Sequence, residues 1–263
     1  MKSLKLDKSQ IALRFAQAGQ SYTEQAIVQR KIARHLSDLI AQYTVDQHDK
    51  VFEIGCGSGN LTQLLMQKLH IKDLILNDLY MDVQQHFSLI NAVNKPQINW
   101  LIGDIEQLEF PNNLNMIASS SVLQWVNDLD AILDQAFRHL TPQAELCFSS
   151  FGPHNLREIK SLTGQGLNYL SIEDLQARLQ KNGFEILHLS EQIEQMTFTH
   201  PKQVLQHLKA TGVTATAAYF RWTKQSLIDF YQNYQQFSYV DETGILQYRL
   251  TYHPIYCIAR RMP

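Results

Sequence analysis

The chain contains a glycine-rich segment whose spacing suits the binding of a small molecule. Gly55, Gly57 and Gly59 alternate with Cys56 and Ser58, directly after a short apolar run. Glycine allows the backbone to adopt positive φ and to approach a ligand closely, and a helix that begins at such a turn offers free N–H groups. We therefore expect this segment to bind a cofactor that contains a phosphate or a nucleoside.

Two of the three cofactor classes that use such a turn are disfavoured by the neighbouring residues. A phosphate-binding P-loop requires a lysine after its last glycine, and none follows Gly59. A dinucleotide-binding fold expects the pattern G-x-G-x-x-G, but counting from Gly55 puts Asn60 at the final glycine position. The observed pattern is instead E-x-G-x-G-x-G, from Glu53 to Gly59.

Two further acidic residues follow short apolar segments, and the carboxyl ends of parallel strands meet at one edge of a sheet. Asp78 ends one such segment, and Asp104 follows the next. An ionised carboxylate in that position can accept hydrogen bonds from both hydroxyl groups of a ribose. The alternative is that Asp78 and Asp104 only cap the elements that follow them.

The glycine pattern together with these acids resembles class I S-adenosylmethionine-dependent methyltransferases. This cofactor carries a sulfonium and an ammonium group, so an acidic residue at the entrance of the loop is favourable. The resemblance implies that Asp78 contacts the ribose and Asp104 the adenine amino group. The cofactor site it implies consists of Glu53, Gly55, Gly57, Gly59, Asp78, Leu79, Asp104, Ile105, Ser119 and Ser120.

The elements that would position these residues alternate regularly along the chain. Apolar periodicity predicts short strands at 51–54, 74–76, 98–102, 116–118 and 146–148, and helices at 28–43, 128–140 and 171–183. Such alternation predicts an α/β fold in which a parallel sheet is covered by helices on both faces. The resemblance implies a Rossmann-like fold with a seven-stranded, mostly parallel sheet.

The last third of the chain departs from this alternation. Helices are predicted at 201–212 and 223–237, and only then does Leu246 to Ala259 read as a final strand. We therefore expect one domain over residues 1–263, with N-terminal helices at about 9–45. The core sheet would occupy about 46–198 and 239–263, and a helical lid at about 199–238 would be inserted before the last strand.

Four segments outside the glycine motif resemble one narrower family. They are Arg14-Phe15 with Tyr22, SVLQW at 121–125, LKATG at 208–212 and LTYH at 250–253. Together they resemble the malonyl-acyl-carrier-protein O-methyltransferases of the biotin pathway, and LKATG and LTYH are the more specific of the four. One departure is Asn115, where that family commonly has an aspartate.

The narrower resemblance implies a concrete reaction. The free carboxylate of a malonyl thioester, carried by acyl carrier protein or coenzyme A, would take the methyl group and leave S-adenosylhomocysteine. Because a carboxylate is already ionised at neutral pH, we expect no dedicated base. Alignment and exclusion of water would drive catalysis. Tyr22, Gln124 and Arg14 are the candidate catalytic residues, with packing or surface ion pairing as their alternative roles.

An acidic carrier protein needs a basic surface on which to dock. Lys202, Lys209, Arg221 and Lys224 lie on or beside the expected lid, with few acidic residues nearby. We expect these four residues to recognise the carrier. The alternative is an ordinary solvated helical face.

Composition limits the other possibilities. The 263 residues are 44% hydrophobic and 18% charged, which excludes intrinsic disorder. The net charge of −2 argues against a nucleic-acid partner, and no apolar stretch is long enough to span a membrane. Three separated cysteines and scattered histidines predict no metal site and a reducing, cytoplasmic location. Three rival functions stay open: a class I methyltransferase of a small acid or quinone-like ring, a non-catalytic S-adenosylmethionine-binding module, and a nicotinamide-dependent oxidoreductase.

Overall fold

The structure is a computed structural model that describes residues 7–9, 11–13, 26–87, 96–212 and 222–263. Arg14, Tyr22 and Arg221 lie outside the described residues. The helices are α1 (Ile27–Tyr43), α2 (Asn60–Lys68), α3 (Leu129–His139), α4 (Arg157–Thr163), α5 (Ile172–Lys181), α6 (Pro201–Ala210) and α7 (Lys224–Asn233). The strands are β1 (Gln47–Ile54), β2 (His70–Asp78), β3 (Gln97–Ile102), β4 (Leu114–Ser120), β5 (Leu140–Phe151), β6 (Phe184–Glu191), β7 (Glu194–Phe198), β8 (Ser238–Val240), β9 (Leu246–Tyr252) and β10 (Pro254–Arg261).

The main sheet has seven strands in the order β3-β2-β1-β4-β5-β10-β6. The first five run parallel to one another, and β10 pairs antiparallel with both β5 and β6. The predicted Rossmann-like α/β fold with a mostly parallel sheet is confirmed. Asn115 in β4 accepts a hydrogen bond from the backbone N–H of Lys50 in β1, so this departure from the family pattern has a local structural role.

Each face of the sheet is covered by an apolar layer. On one face α1 contributes Val28, Ile32 and Leu36, whose three- and four-residue spacing places them on one side of the helix. On the other face α3 and α5 bury side chains such as Leu133 and Leu179. Each fully buried side chain of this kind stabilises the fold by about 1.5–3 kcal/mol. The carboxyl edge of β1, β2 and β4 stays between the two layers, where loops can line a cavity.

The prediction of a single strand from Leu246 to Ala259 is wrong. The structure has two strands, β9 and β10, separated at His253. Strand β9 belongs to a second, antiparallel sheet with the order β7-β9-β8, whereas β10 enters the main sheet. Pro254 has no N–H to donate to a neighbouring strand, which suits the start of a new strand. The segment before β10 therefore contains a small sheet as well as helices.

The two helices of that segment begin and end at the expected signals. Helix α6 begins with Pro201 in its first turn, and Gly212, just beyond its end, has φ +71°. The side chain of Thr223 accepts a hydrogen bond from the N–H of Ser226 and caps α7. None of the described helices has the length and apolar character needed to cross a bilayer.

Candidate functional site

The glycine-rich loop joins β1 to α2 and has the backbone conformation that only glycine adopts readily. Gly55, Gly57 and Gly59 have φ of +70°, +50° and +80°. Gly59 is the N-cap residue of α2. A Cβ at Gly55 would lie only 2.4 Å from Cγ2 of Val122, whereas a Cβ at Gly57 would meet no atom within 4 Å. The loop is therefore tightly packed at its first glycine and open at its second.

A cavity of about 130 Å³ lies beside this loop at the carboxyl edge of the main sheet. Eight of the ten predicted cofactor residues line it: Glu53, Gly55, Gly57, Asp78, Leu79, Asp104, Ile105 and Ser120. Gly59 and Ser119 are not among the lining residues. The hydroxyl of Ser119 is fully buried and donates to the carbonyl of Ile54, which joins β4 to β1.

Asp78 ties the end of β2 to the glycine loop. One carboxylate oxygen accepts from the N–H of Gly57 at 2.8 Å, and the other accepts from the N–H of Leu79 at 2.7 Å. Burial raises the pKa of this carboxyl above its ordinary value, against the opposing effect of these hydrogen bonds. Each oxygen can accept a second hydrogen bond, so the capping contacts leave Asp78 able to accept from ribose hydroxyls.

Asp104 and Glu106 occupy the turn after β3 and hold an N-terminal residue over the cavity. The ammonium of Lys8 lies 2.6 Å from Glu106, 3.7 Å from Asp104 and 2.8 Å from the backbone carbonyl of Trp125. Ile11, one helical turn further along the chain, is buried and packs with Trp125. Lys8 and Ile11 both line the cavity, and the sequence reasoning missed both.

Glu53, the acid at the entrance of the loop, is fully buried under the cavity. Its carboxyl accepts a hydrogen bond of 2.7 Å from the hydroxyl of Thr62 in α2. Burial raises its pKa to about 8, with the nearby charge of Asp78 acting in the same direction. A cationic ligand in the cavity would offset this cost by stabilising the ionised form.

Gln124 and Trp125 are adjacent in sequence but line different cavities. Trp125 lines the cavity beside the glycine loop, with Ser121 and Val122. Gln124 lines a separate cavity of about 150 Å³ between the end of β5 and α5, and its amide nitrogen donates to the carbonyl of Ser121. The turn at 123–125 is therefore a wall between the two cavities.

Three of the four lysine and arginine residues predicted to recognise a carrier lie within the described residues. Lys202 and Lys209 are exposed and two turns apart on α6, and Lys224 is exposed at the start of α7.

Cys56 lies in the glycine-rich loop, but burial raises the pKa of its thiol far above its usual range, which keeps it protonated. Within the described ranges, no three His, Cys, Asp or Glu side chains are grouped so as to hold a metal ion.

The cavity fits a nucleoside cofactor with a charged end. It combines apolar side chains such as Ile11 and Leu79 with acids at the ends of β2 and β3. It also contains two buried polar atoms, Oε1 of Gln29 and Oγ of Ser121, that have no hydrogen-bond partner among the described residues. Polar atoms buried in this way are suited to a polar ligand. The sequence analysis did not predict Gln29 as a site residue, although it is a polar residue on the apolar face of α1.

Comparison with known proteins gives a consistent assignment. A family model described as a methyltransferase domain matches residues 25–189. The malonyl-acyl-carrier-protein O-methyltransferase of Acinetobacter baylyi is 50% identical over 97% of this chain and 98% of that relative. Proteins of the same description from Haemophilus ducreyi and Chlorobium phaeovibrioides are 38% and 35% identical and also match nearly end to end, covering 95% and 97% of this chain.

Solved structures support the fold at much lower identity. The YcgJ protein of Bacillus subtilis superposes with a TM-score of 0.58 at 12% identity, covering 87% of this chain and 99% of that one. The N-methyltransferase NodS of Bradyrhizobium japonicum, solved with S-adenosylhomocysteine, gives a TM-score of 0.52 at 14% identity, covering 88% of this chain and 86% of that one.

Proposed function

The chain belongs to the malonyl-acyl-carrier-protein O-methyltransferases, a family of S-adenosylmethionine-dependent enzymes, and we propose that it methylates the free carboxylate of a malonyl thioester on an acyl carrier protein. The observation that carries this proposal is 50% identity maintained over 97% of the chain. The products are the methyl ester of the malonyl thioester and S-adenosylhomocysteine.

The reaction needs alignment more than acid–base catalysis. Bound S-adenosylmethionine supplies an electrophilic methyl group. The malonyl carboxylate, with a pKa of about 4, is ionised at neutral pH and attacks this carbon directly. A carbon–oxygen bond forms as the carbon–sulfur bond breaks, and no proton has to move. Holding the two reactants in line can contribute about 7–11 kcal/mol.

The residues around the cavity support both parts of this task. Asp78 and Asp104 would hold the nucleoside through its ribose hydroxyls and adenine amino group. Ile11, Val122 and Trp125 present apolar surface to the same cavity, which excludes water from the reacting groups. A carboxylate that loses its hydrating water is a stronger nucleophile.

Three residues are proposed to contact the malonyl group. Arg14 and Tyr22 would hold the carboxylate and close over the methyl group, and both lie outside the described residues. Gln124 lines the neighbouring cavity, so its expected contact with substrate requires the acyl group to reach that side of the 123–125 turn.

The carrier protein would dock on the inserted segment at 199–238. Lys202, Lys209 and Lys224 are exposed there, and none of them forms an ion pair within the described part of the chain. Together with Arg221 they would present cations to an acidic carrier. This lid would then recognise the carrier while the cavity at the sheet edge carries out the chemistry.

The proposal is tested with S-adenosylmethionine labelled in its methyl group. Malonyl-acyl carrier protein, malonyl-coenzyme A and acetyl-acyl carrier protein are supplied as acceptors in parallel reactions. We expect transfer to the malonyl thioesters and none to the acetyl form, which has no free carboxylate. The proposal would be contradicted if the acetyl form were labelled as much as the malonyl forms, or if none of the three acceptors were labelled.

A further inference from the structure

One polar side-chain atom in each of two residues of the cofactor cavity has no hydrogen-bond partner among the described residues. Gln29 is 7% exposed, and its amide oxygen accepts no hydrogen bond from any described residue. The hydroxyl of Ser121 is also buried and has no hydrogen-bond partner among the described residues. Both residues line the cavity beside the glycine loop. Leaving buried polar atoms unpaired destabilises a protein, so a bound ligand is the natural partner for them.

Gln29 lies where the amphipathic pattern of α1 calls for an apolar residue. It is on the buried side of the helix with Val28, Ile32 and Ala33. Ala33, one turn further along, lines the cavity as well. This face of α1 is thus directed at the glycine loop, and Gln29 brings a hydrogen-bonding group to a place where leucine or alanine would complete the core.

Ser121 is held in a strained conformation by contacts on both sides of its backbone. Its φ is +59°, which non-glycine residues rarely adopt. Its N–H donates to the hydroxyl of Ser149 in β5 at 3.1 Å, and its carbonyl accepts from the amide of Gln124. Strain that the surrounding structure maintains in this way commonly marks a functional position. Here the strained residue lies in the wall of the cavity.

The order of the strands separates Ser121 from the acids that would hold the nucleoside. Asp78 ends β2 and Asp104 follows β3, whereas Ser121 follows β4 and Glu53 lies near the end of β1. The ends of β3 and β4 are three strand spacings apart, about 14 Å at about 4.8 Å per spacing. A ligand whose nucleoside is bound at β2 and β3 has its other end near β1 and β4.

We propose that Gln29 and Ser121 bind the amino-acid end of S-adenosylmethionine, an inference that rests on the cofactor of the proposed function. The amide oxygen of Gln29 accepts from the ammonium group, and the hydroxyl of Ser121 donates to the carboxylate. Both groups carry a full charge, and hydrogen bonds to charged groups are about twice as strong as neutral ones. These residues therefore distinguish an amino-acid-bearing cofactor from a plain nucleoside thioether.

The test compares two ligands that differ only at that end. Titration calorimetry measures the Kd of S-adenosylhomocysteine and of 5′-methylthioadenosine, which keeps the nucleoside and the sulfur but lacks the amino acid. The variants are Gln29→Met and Ser121→Ala, with Gln42→Met as the matched control because Gln42 is exposed on the same helix. We expect each site variant to weaken S-adenosylhomocysteine binding about tenfold or more while 5′-methylthioadenosine binding changes less than about twofold.

The possible outcomes separate this inference from the proposed function. Equal effects on both ligands, or no effect on either, would overturn the roles of Gln29 and Ser121 while leaving methyl transfer to malonyl thioesters intact. A wild-type protein that binds S-adenosylhomocysteine but methylates no malonyl thioester would overturn only the proposed acceptor. Ser121→Ala removes a single atom, so it carries the comparison if Gln29→Met fails to fold.

Discussion

At the scale of single residues, Glu53 is a carboxyl group that the fold keeps in an unfavourable environment. Burial raises its pKa to about 8 from the ordinary value of 4.5. Between these two values the folded chain keeps a proton that the unfolded chain has released. Because the folded state binds more protons, the free energy of unfolding falls as pH rises through this range.

We predict that Glu53→Gln removes this pH dependence. The amide can still accept the hydrogen bond from Thr62 and has no charge to bury. From pH 6 to pH 8 the free energy of unfolding of the wild type should fall by about 2 kcal/mol more than that of the variant. Urea unfolding at several pH values measures this difference. Glu109→Gln, at an exposed position, is the control. Parallel stability curves for wild type and Glu53→Gln would contradict the raised pKa.

The first glycine of the loop has a steric as well as a conformational requirement. Gly55 has φ +70°, and a Cβ there would overlap the side chain of Val122. We predict that Gly55→Ala lowers the free energy of unfolding by about 1–3 kcal/mol and weakens S-adenosylhomocysteine binding. Gly166→Ala is the matched control, since its Cβ would meet ordinary contacts at 3.6 Å. Indistinguishable unfolding curves for the two variants would refute the prediction.

The pattern of residue types between Glu53 and Ser120 predicted part of the cavity lining. Glu53, Gly55 and Asp78 could be found because they end strands or follow them directly, and parallel strands bring such positions together. Lys8 and Gln29 could not be found in this way. They belong to N-terminal helices whose placement over the sheet edge depends on long-range packing, and neither is part of a local motif.

At the scale of elements, two hydrogen bonds join α6 and the turn after α7 to β9. The ring of His207 in α6 lies 2.7 Å from the hydroxyl of Tyr252, and both residues are buried. The hydroxyl of Tyr234, just after α7, donates to the carbonyl of Arg249. His207, the residue before the LKATG segment, therefore contacts the LTYH segment.

We predict that Tyr252→Phe destabilises the protein by about 1–3 kcal/mol, because the ring of His207 loses its buried partner. Burial lowers the pKa of His207 to about 4, so the ring is neutral at pH 7 and no charge is left unpaired. Chemical unfolding measures the change, with Tyr231→Phe as the control because its hydroxyl makes no hydrogen bond within the described ranges. Equal stabilities of the two variants would show that the His207–Tyr252 contact contributes nothing.

Periodicity predicted the parallel half of the sheet better than the end of the chain. Strands β1 to β5 are separated from one another by helices or loops, and each has its own apolar run. Apolar and polar residues alternate from Leu246 to His253, whereas the run from Pro254 to Ala259 is continuously apolar. Both patterns are compatible with a strand, so neither showed that the chain changes from one sheet to the other. Pro254 was the available sign of a break, but a proline also occurs at edge strands and bulges, so it did not define two strands.

At the scale of the whole molecule, charge is distributed unevenly despite a net value of −2. Lys202 and Lys209 lie on the same exposed side of α6, and Lys224 begins α7. Charged residues at the rim of an interface mainly change association rates and the dependence of binding on salt. A basic surface on the insertion would therefore affect the carrier-linked substrate selectively.

We predict that the double variant Lys202→Glu, Lys209→Glu raises KM for malonyl-acyl carrier protein about 3- to 10-fold with little change in kcat. KM for malonyl-coenzyme A, which offers no acidic protein surface, should change less. Lys181→Glu, exposed on α5, is the matched control. Steady-state kinetics at two salt concentrations would refute carrier docking on the insertion if both substrates responded equally.

Transfer of the methyl group to the malonyl carboxylate is tested most directly by locating that methyl group in the product. Malonyl-acyl carrier protein is incubated with the enzyme and S-adenosylmethionine, and the phosphopantetheine arm is then released and fragmented by mass spectrometry. We expect the mass of one added CH₂ unit on the malonyl fragment, removed as methanol by mild base. A methyl group on the carrier polypeptide or the pantetheine arm, or an unchanged malonyl fragment, would contradict the assignment.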